Sequence, residues 1–424
     1  MLWIQKGGPD VDISADELKR EVNTLLTKLG KREKVLAIPP DITRFHSRAG
    51  EITAMLYGYY GERLSDVLPA LGTHVPMTAE EKAKMFPGIP DKLFHEHDWR
   101  NDPVRVGVVP EAFVRGVSHG AVDFSVPMEV NRLLLEGGHD LILSIGQVVP
   151  HEVIGMANHN KNIFVGTGGA ECINKSHFLG AAYGMERIMG RADTPVRRVL
   201  DYSSENFIAD MPIVYILTVI GPDRTGRQVL RGLFAGDDRA CFQAAAELSL
   251  EVNFNMLEEA PSKMVVYLDP EEFRSTWLGN KSIYRTRMAL ADGGELLVLA
   301  PGVVEFGEDP EIDRLIRKYG YIGREKILEL VKTEDELKEN LSAAAHLIHG
   351  SSDGRFKITY CTDSLSKDEV ESAGFQWEDL ENVMKKYDPS VMKDGWNTLK
   401  DGERVYYISN PALGLWACRS RFEE

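Results

Sequence analysis

Four stretches of this sequence hold residues able to move protons, grip anions or ligate metals, and each follows a short apolar run that reads as a strand. In open α/β sheets ligands gather at the carboxyl ends of strands, so the placement itself directs attention to them. The first is Pro39-Pro40-Asp41-Ile42-Thr43-Arg44. Two prolines stop the strand, and the carboxylate, hydroxyl and guanidinium that follow could hold a phosphate or a substrate carboxylate through the arginine fork. A helix N-cap with a surface arginine is the plainer alternative. The second is Gly72-Thr73-His74, leading to Thr78 and Glu81, which are spaced as a capping box. The third is His95-Glu96-His97-Asp98, two histidines at i and i+2 beside acids. It is not the H-E-x-x-H of a zinc protease helix. The fourth and densest runs from His151-Glu152 through Asn158-His159-Asn160-Lys161 and Gly166-Thr167-Gly168-Gly169 to His177. Its glycine turn could cradle a phosphate on backbone amides or simply lead into a helix, and Glu171 stands where a dinucleotide fingerprint needs glycine.

The elements that must position these residues alternate, short apolar runs with amphipathic stretches, as in α/β architecture. Strands are expected at residues 34–38, 63–71, 104–109, 141–145 and 213–220, and helices at 16–29 and 48–60. A long helical pattern covers 234–250. Beyond it, strands are expected at 264–268, 296–300, 356–361 and 404–409, with helices at 308–319 and 334–349. These patterns divide the chain into two α/β domains, 1–260 and 261–424, each built on a mainly parallel sheet.

Composition narrows the function classes. The chain has 424 residues, 43% of them hydrophobic and 27% charged, and 49 lysines and arginines face 65 acids for a net charge of −16. Such an acidic surface repels polyanions, which argues against nucleic-acid binding while leaving room for one local anion pocket. The four cysteines, Cys172, Cys241, Cys361 and Cys418, are too scattered for a zinc knuckle or a disulfide framework. No apolar run has membrane-spanning length, so the expected setting is the cytoplasm. Of eleven histidines, nine lie between His46 and His177, which concentrates proton-transfer and metal-binding capacity in the N-terminal half.

Taken in order, the four stretches resemble the lactate racemase family of nickel-pincer enzymes. The family's D-x-T-R turn is matched by Asp41, Thr43 and Arg44, and its G-T-H-x-x-M-T segment from Gly72 to Thr78. His97, before Asp98, best matches one catalytic histidine, and His151, after a proline, the other. The resemblance places a cofactor-binding lysine ten positions later, at Lys161, and a nickel-ligating histidine sixteen further on, at His177. What it implies is a racemase or epimerase of a 2-hydroxy acid, working by hydride transfer through a 2-keto acid. The cofactor would be a nickel-pincer nucleotide, Ni-pyridinium-3,5-bisthiocarboxylate mononucleotide, attached covalently through Lys161 and supplied by cofactor-biosynthesis proteins. Asp41, Thr43, Arg44 and His74 would help bind it. Arg44 would pair with the substrate carboxylate and Arg285, from the C-terminal domain, would be a second anchor, which implies a site in the cleft between domains.

The sequence departs from the family's pattern at two places. Asn158-His159-Asn160 replaces a usual glycine pair, and Tyr284-Arg285-Thr286-Arg287-Met288 replaces Y-Q-x-x-K. An extra guanidinium implies a substrate larger or more polar than lactate, malate-like or an aldonic acid. Two other readings stand beside this one: a zinc- or manganese-dependent hydrolase or lyase using His95, His97 and His151, and a non-catalytic relative that binds the cofactor.

Overall fold

The structure, a computed structural model, describes residues 1–423. Two compact units emerge, Met1–Leu179 with Met189–Asn253, and Gly180–Ile188 with Phe254–Glu424. Both are α/β, as expected.

The first unit contains strands β1 (Leu2–Gly7), β2 (Val35–Ile38), β3 (Leu64–Val67), β4 (Pro103–Val109), β5 (Val126–Asn131), β6 (Leu141–Gln147), β7 (Pro150–His151), β8 (Gly155–Met156), β9 (Ile213–Pro222) and β10 (Gln228–Gly236). Its main sheet has six strands in the order β1-β10-β9-β6-β2-β3. β3, β2, β6 and β9 run parallel, and β10 and β1 complete the sheet antiparallel. Every residue of β2 and β6 is buried. This is why they read as continuous apolar runs: a parallel strand covered on both faces has no side for polar residues. Helix Ala15–Leu29 packs Leu18, Val22, Leu25 and Leu26 into the core and is closed at its start by a Ser14–Glu17 capping box, worth about 1 kcal/mol. The Thr78–Glu81 box likewise opens helix Ala79–Met85.

The second unit contains β11 (Phe254–Leu257), β12 (Lys263–Tyr267), β13 (Glu295–Leu299), β14 (Lys357–Cys361), β15 (Gln376–Glu378), β16 (Gly395–Thr398), β17 (Arg404–Ile408) and β18 (Leu415–Cys418). Its six-stranded sheet has the order β15-β14-β13-β12-β17-β16, parallel except at β16. Among the described residues, no helix is long and apolar enough to cross a membrane.

Two expected elements differ. The helical pattern over 234–250 is a strand as far as Gly236 and a helix from Arg239 to Asn253, because Phe234 and Ala235 pair with β9 inside the sheet. The pattern over 334–349 is two helices, Asp335–Glu339 and Leu341–His349, broken at Asn340, whose side chain caps the second by accepting from the Ala343 N–H.

Candidate functional site

Because β2, β3 and β6 are parallel, the loops after them leave one edge of the sheet. After β2, Pro39 and Pro40 end the ladder and Asp41 caps the short 3₁₀ turn Ile42–Ser47. One carboxylate oxygen of Asp41 accepts from the N–H and hydroxyl of Thr43; the other lies 2.6 Å from His74 Nδ1. Burial pushes this carboxyl up, yet the hydrogen bonds from His74 and Thr43 and the Arg44 charge outweigh it and hold it below its ordinary value. An ionised Asp41 can only accept, so His74 Nδ1 is the donor, which in the neutral ring leaves the lone pair on Nε2. The His74 side chain is 58% exposed, so that lone pair is accessible. An imidazole backed by a carboxylate in this way has the arrangement that general-base chemistry uses. The loop carrying it is stitched down: Gly72, at φ +58°, donates its N–H to Gly166 O at 2.8 Å.

The β6 loop leads to the short hairpin β7–β8, where His151 Nδ1 accepts the Val153 N–H at 3.1 Å and lies 3.9 Å from a Glu152 carboxylate oxygen. Beyond it, Asn158 and His159 take left-handed backbone, φ +66° and +58°, and Lys161 begins a π-turn over Asn162–Gly166. Two consecutive non-glycine residues there cost about 1–2 kcal/mol each, less for asparagine. Among the described residues, Lys161 Nζ has no hydrogen-bond or ion-pair partner. Burial first, then repulsion from Arg44 and Arg197, lower the amine from 10.5 to about 8, against the attraction of Glu152 and Asp41. At neutral pH a useful fraction is the nucleophilic free amine.

His177 sits on helix Ala170–Tyr183. Its Nδ1 lies 2.7 Å from Ile173 O, and a carbonyl can only accept, so Nδ1 carries the proton and Nε2 the lone pair. Burial and the Lys161 charge lower its pKa to about 4, so the ring is neutral. An imidazole oriented by a backbone carbonyl, with its other nitrogen bare, is the arrangement of a metal ligand. Glu152 acts on both residues, Lys161 acts on His177, and Asp41 and Arg44 act on Lys161, which brings all five into one electrostatic neighbourhood.

His97 is different. It is 3% exposed and both ring nitrogens are used. Asn131 accepts the Leu133 N–H through Oδ1, so its Nδ2 donates to His97 Nδ1 at 3.0 Å; Nε2–H then donates to Gly168 O at 3.0 Å. Burial holds the ring below its ordinary pKa. As placed, it fastens the Gly168 turn. His95 turns instead to Asp66 at 2.7 Å, which also takes His139 at 2.8 Å. His95, His97 and His151 therefore have separate partners, and among the described residues no three histidine, cysteine, aspartate or glutamate side chains surround a point where a metal ion could sit. His159 stacks on Tyr215 at 3.9 Å, inside the core.

The glycines of the turn are required by close packing. A Cβ on Gly168 would lie 1.8 Å from Phe164 O, and one on Gly169 would lie 2.0 Å from Glu129 Oε2. Glu129 already accepts from the Glu171 and Cys172 N–H groups at the helix start. Arg285 belongs to the second unit, where it is buried and donates to Gly414 O at 3.5 Å. Neighbouring Arg287 is committed to Glu186, Asp353 and Ser351 O.

Residues 18–187 match the lactate racemase N-terminal domain model, the stretch that contains Asp41, His74, Lys161 and His177. Over these residues the chain is similar to the lactate racemase family. A crystal structure of a Thermotoga maritima protein superposes on this chain with a TM-score of 0.80 at 23% identity, covering 98% of this chain and all of that one. The lactate racemase apoprotein from Thermoanaerobacterium thermosaccharolyticum superposes with a TM-score of 0.72 at 16% identity, covering 97% and 94%. No curated protein matches in sequence. Both structures share the fold of this chain across nearly its whole length.

Proposed function

We propose that the chain is a racemase or epimerase of a 2-hydroxy acid that works with a covalently held nickel-pincer nucleotide. The observation that carries this reading is the pair Lys161 and His177: an unpartnered amine brought to about 8 and, beside it, a neutral imidazole whose Nε2 is bare. This donor set fits the group, since thioamide formation needs a free amine and square-planar nickel suits an imidazole nitrogen. Lys161 would hold one sulfur arm and His177 the metal. When bound, the group would supply an acceptor for the hydride on the substrate's C2.

The chain's own residues do the rest. The Arg44 guanidinium, whose charge reaches Asp41, His46 and Lys161, pairs with the substrate carboxylate. His74, with Nδ1–H held by Asp41, takes the hydroxyl proton at Nε2 as C2 is oxidised to the ketone and returns a proton when C2 is reduced. His151 serves the other enantiomer from the β7–β8 hairpin. The geometry favours His74 over His97 here, because only His74 presents an accessible lone pair. Arg285 would recognise the far polar end of a substrate larger than lactate.

The test is intact mass spectrometry and nickel analysis of protein made in a host that builds the cofactor, followed by inversion assays on lactate, malate, 2-hydroxyglutarate and aldonic acids. An adduct on Lys161, one nickel per chain and inversion of one acid are expected. Absence of both adduct and nickel from such a preparation overturns the reading.

A further inference from the structure

Lys161 lies between two buried asparagines, and each ties the backbone beside the amine to a different part of the core. Asn162, on its far side, donates from Nδ2 to Ile38 O at 3.1 Å and to Ser144 Oγ at 3.0 Å, linking it to β2 and β6. Asn160, on the near side, is wholly buried and donates to Asp201 at 2.7 Å and Ser204 at 3.3 Å on helix Pro195–Phe207.

The second attachment converges on one residue. Arg197 is completely buried, an unusual place for a guanidinium. Its fork donates to Met156 O at 2.7 Å, to Asn158 O at 3.2 Å from both terminal nitrogens, and to Asn160 Oδ1. Its plane lies 4.0 Å over the Phe242 ring. All three acceptors belong to the segment that turns left-handed at Asn158 and His159 just before the lysine. The same helix reaches the hairpin too: Thr194, its N-cap, accepts the Arg197 N–H and donates to Ile154 O at 2.9 Å. A left-handed pair without glycine reverts to ordinary backbone unless its carbonyls are held. The guanidinium, with several donors in one plane, can hold them together.

We propose that Arg197 is the positioning residue for Lys161: by gripping the carbonyls of Met156 and Asn158 and the Asn160 amide, it keeps the left-handed turn and so points the amine into the site. The assignment deepens the reading in which Lys161 is the attachment point, but it concerns the apoprotein and is tested there. Arg197 touches neither the substrate nor the amine.

The experiment is competitive labelling of the full-length apoprotein with acetic anhydride from pH 6 to 10, read at each lysine by peptide mass spectrometry. In the native chain Lys161 should reach half its maximal rate near pH 8, against about 10.5 for exposed lysines. Arg197→Lys keeps the charge and loses the fork. It should move the Lys161 midpoint up by one pH unit or more, cutting its rate at pH 7 by about tenfold while other lysines stay unchanged. Adding Asn158→Gly and His159→Gly to Arg197→Lys lets the turn form without the grip and should restore the rate to within about threefold. A folded Arg197→Lys protein with an unchanged Lys161 profile overturns the proposal, as does a shift that the glycines fail to rescue. If Arg197→Lys does not fold, Asn160→Asp is used instead, which keeps an acceptor for Arg197 but not the amide donor to Asp201 and Ser204, beside Asn160→Ala, which removes both. A tenfold loss in Asn160→Ala that Asn160→Asp does not share supports the grip, and equal loss in both overturns it. Adduct formation is not read in this experiment, so its failure counts against Arg197 alone, whereas a holo-preparation without adduct or nickel counts against the cofactor reading.

Discussion

Alanine at His74 and alanine at His97 should have opposite consequences. His97 is buried, accepts from Asn131 and donates to Gly168 O. Its removal leaves an amide N–H and a carbonyl inside the protein without partners, at about 1–3 kcal/mol each, and a cavity besides. A loss on the order of 3 kcal/mol corresponds to roughly 6–12 °C in Tm for a domain of this size. His74 is 58% exposed and its side chain makes one hydrogen bond, to the Asp41 carboxylate, which keeps its bonds from Thr43, so His74→Ala should cost about 1–2 kcal/mol, less than His97→Ala. Turnover should follow the other order. Loss of a general base typically costs 10²–10⁴-fold, and His74→Ala should lose about that in both directions of inversion. The assays are thermal unfolding of each apoprotein by circular dichroism, and inversion with C2 hydrogen exchange by the loaded enzymes, normalised to bound nickel. A His97→Ala protein that unfolds at the native temperature yet loses a hundredfold in turnover would refute the reasoning, as would a His74→Ala protein with near-native turnover.

Lys161→Ala should abolish the mass adduct without loss of fold, and an adduct surviving on that variant would remove Lys161 from its role. Stability should fall on acidification for a reason visible at His346, which is buried against Trp277 and Tyr321 with its pKa lowered by burial to about 3. Between about 6.5 and 3 the unfolded chain binds a proton that the folded ring refuses, so the histidine's stabilising contribution is complete above 6.5 and is lost as pH falls. His346→Gln should therefore flatten the stability–pH slope between pH 6 and 4 by up to about 1.4 kcal/mol per unit, measured by urea unfolding. Arg285→Gln should relax discrimination among 2-hydroxy acids while sparing the adduct; unchanged kcat/KM ratios across the acid panel would dismiss Arg285 as a specificity residue.

The parallel strands of both units were legible in the sequence because burial on both faces leaves uninterrupted apolar runs such as VLAI and LILSIGQ. Asp41 was legible as the first acid of the turn after such a run, whereas Lys161 and His177 were marked by the resemblance to the lactate racemase family. Strand β1 and the end of β10 carried no comparable mark. They exist because they pair with each other across more than two hundred residues, and local periodicity does not report that pairing. The histidines show the division most clearly. An aspartate follows His97 in sequence, yet its ring turns to Asn131 and Gly168, while His74 finds its carboxylate thirty-three positions earlier, in Asp41. Gly169 makes room for Glu129, from a different strand, and Arg197 has no local signature for the turn it grips. A sequence reports residue type and spacing along one element. Tautomer, free lone pair and amine basicity follow from which groups distant segments bring within hydrogen-bond reach, and those were decided by the tertiary structure alone.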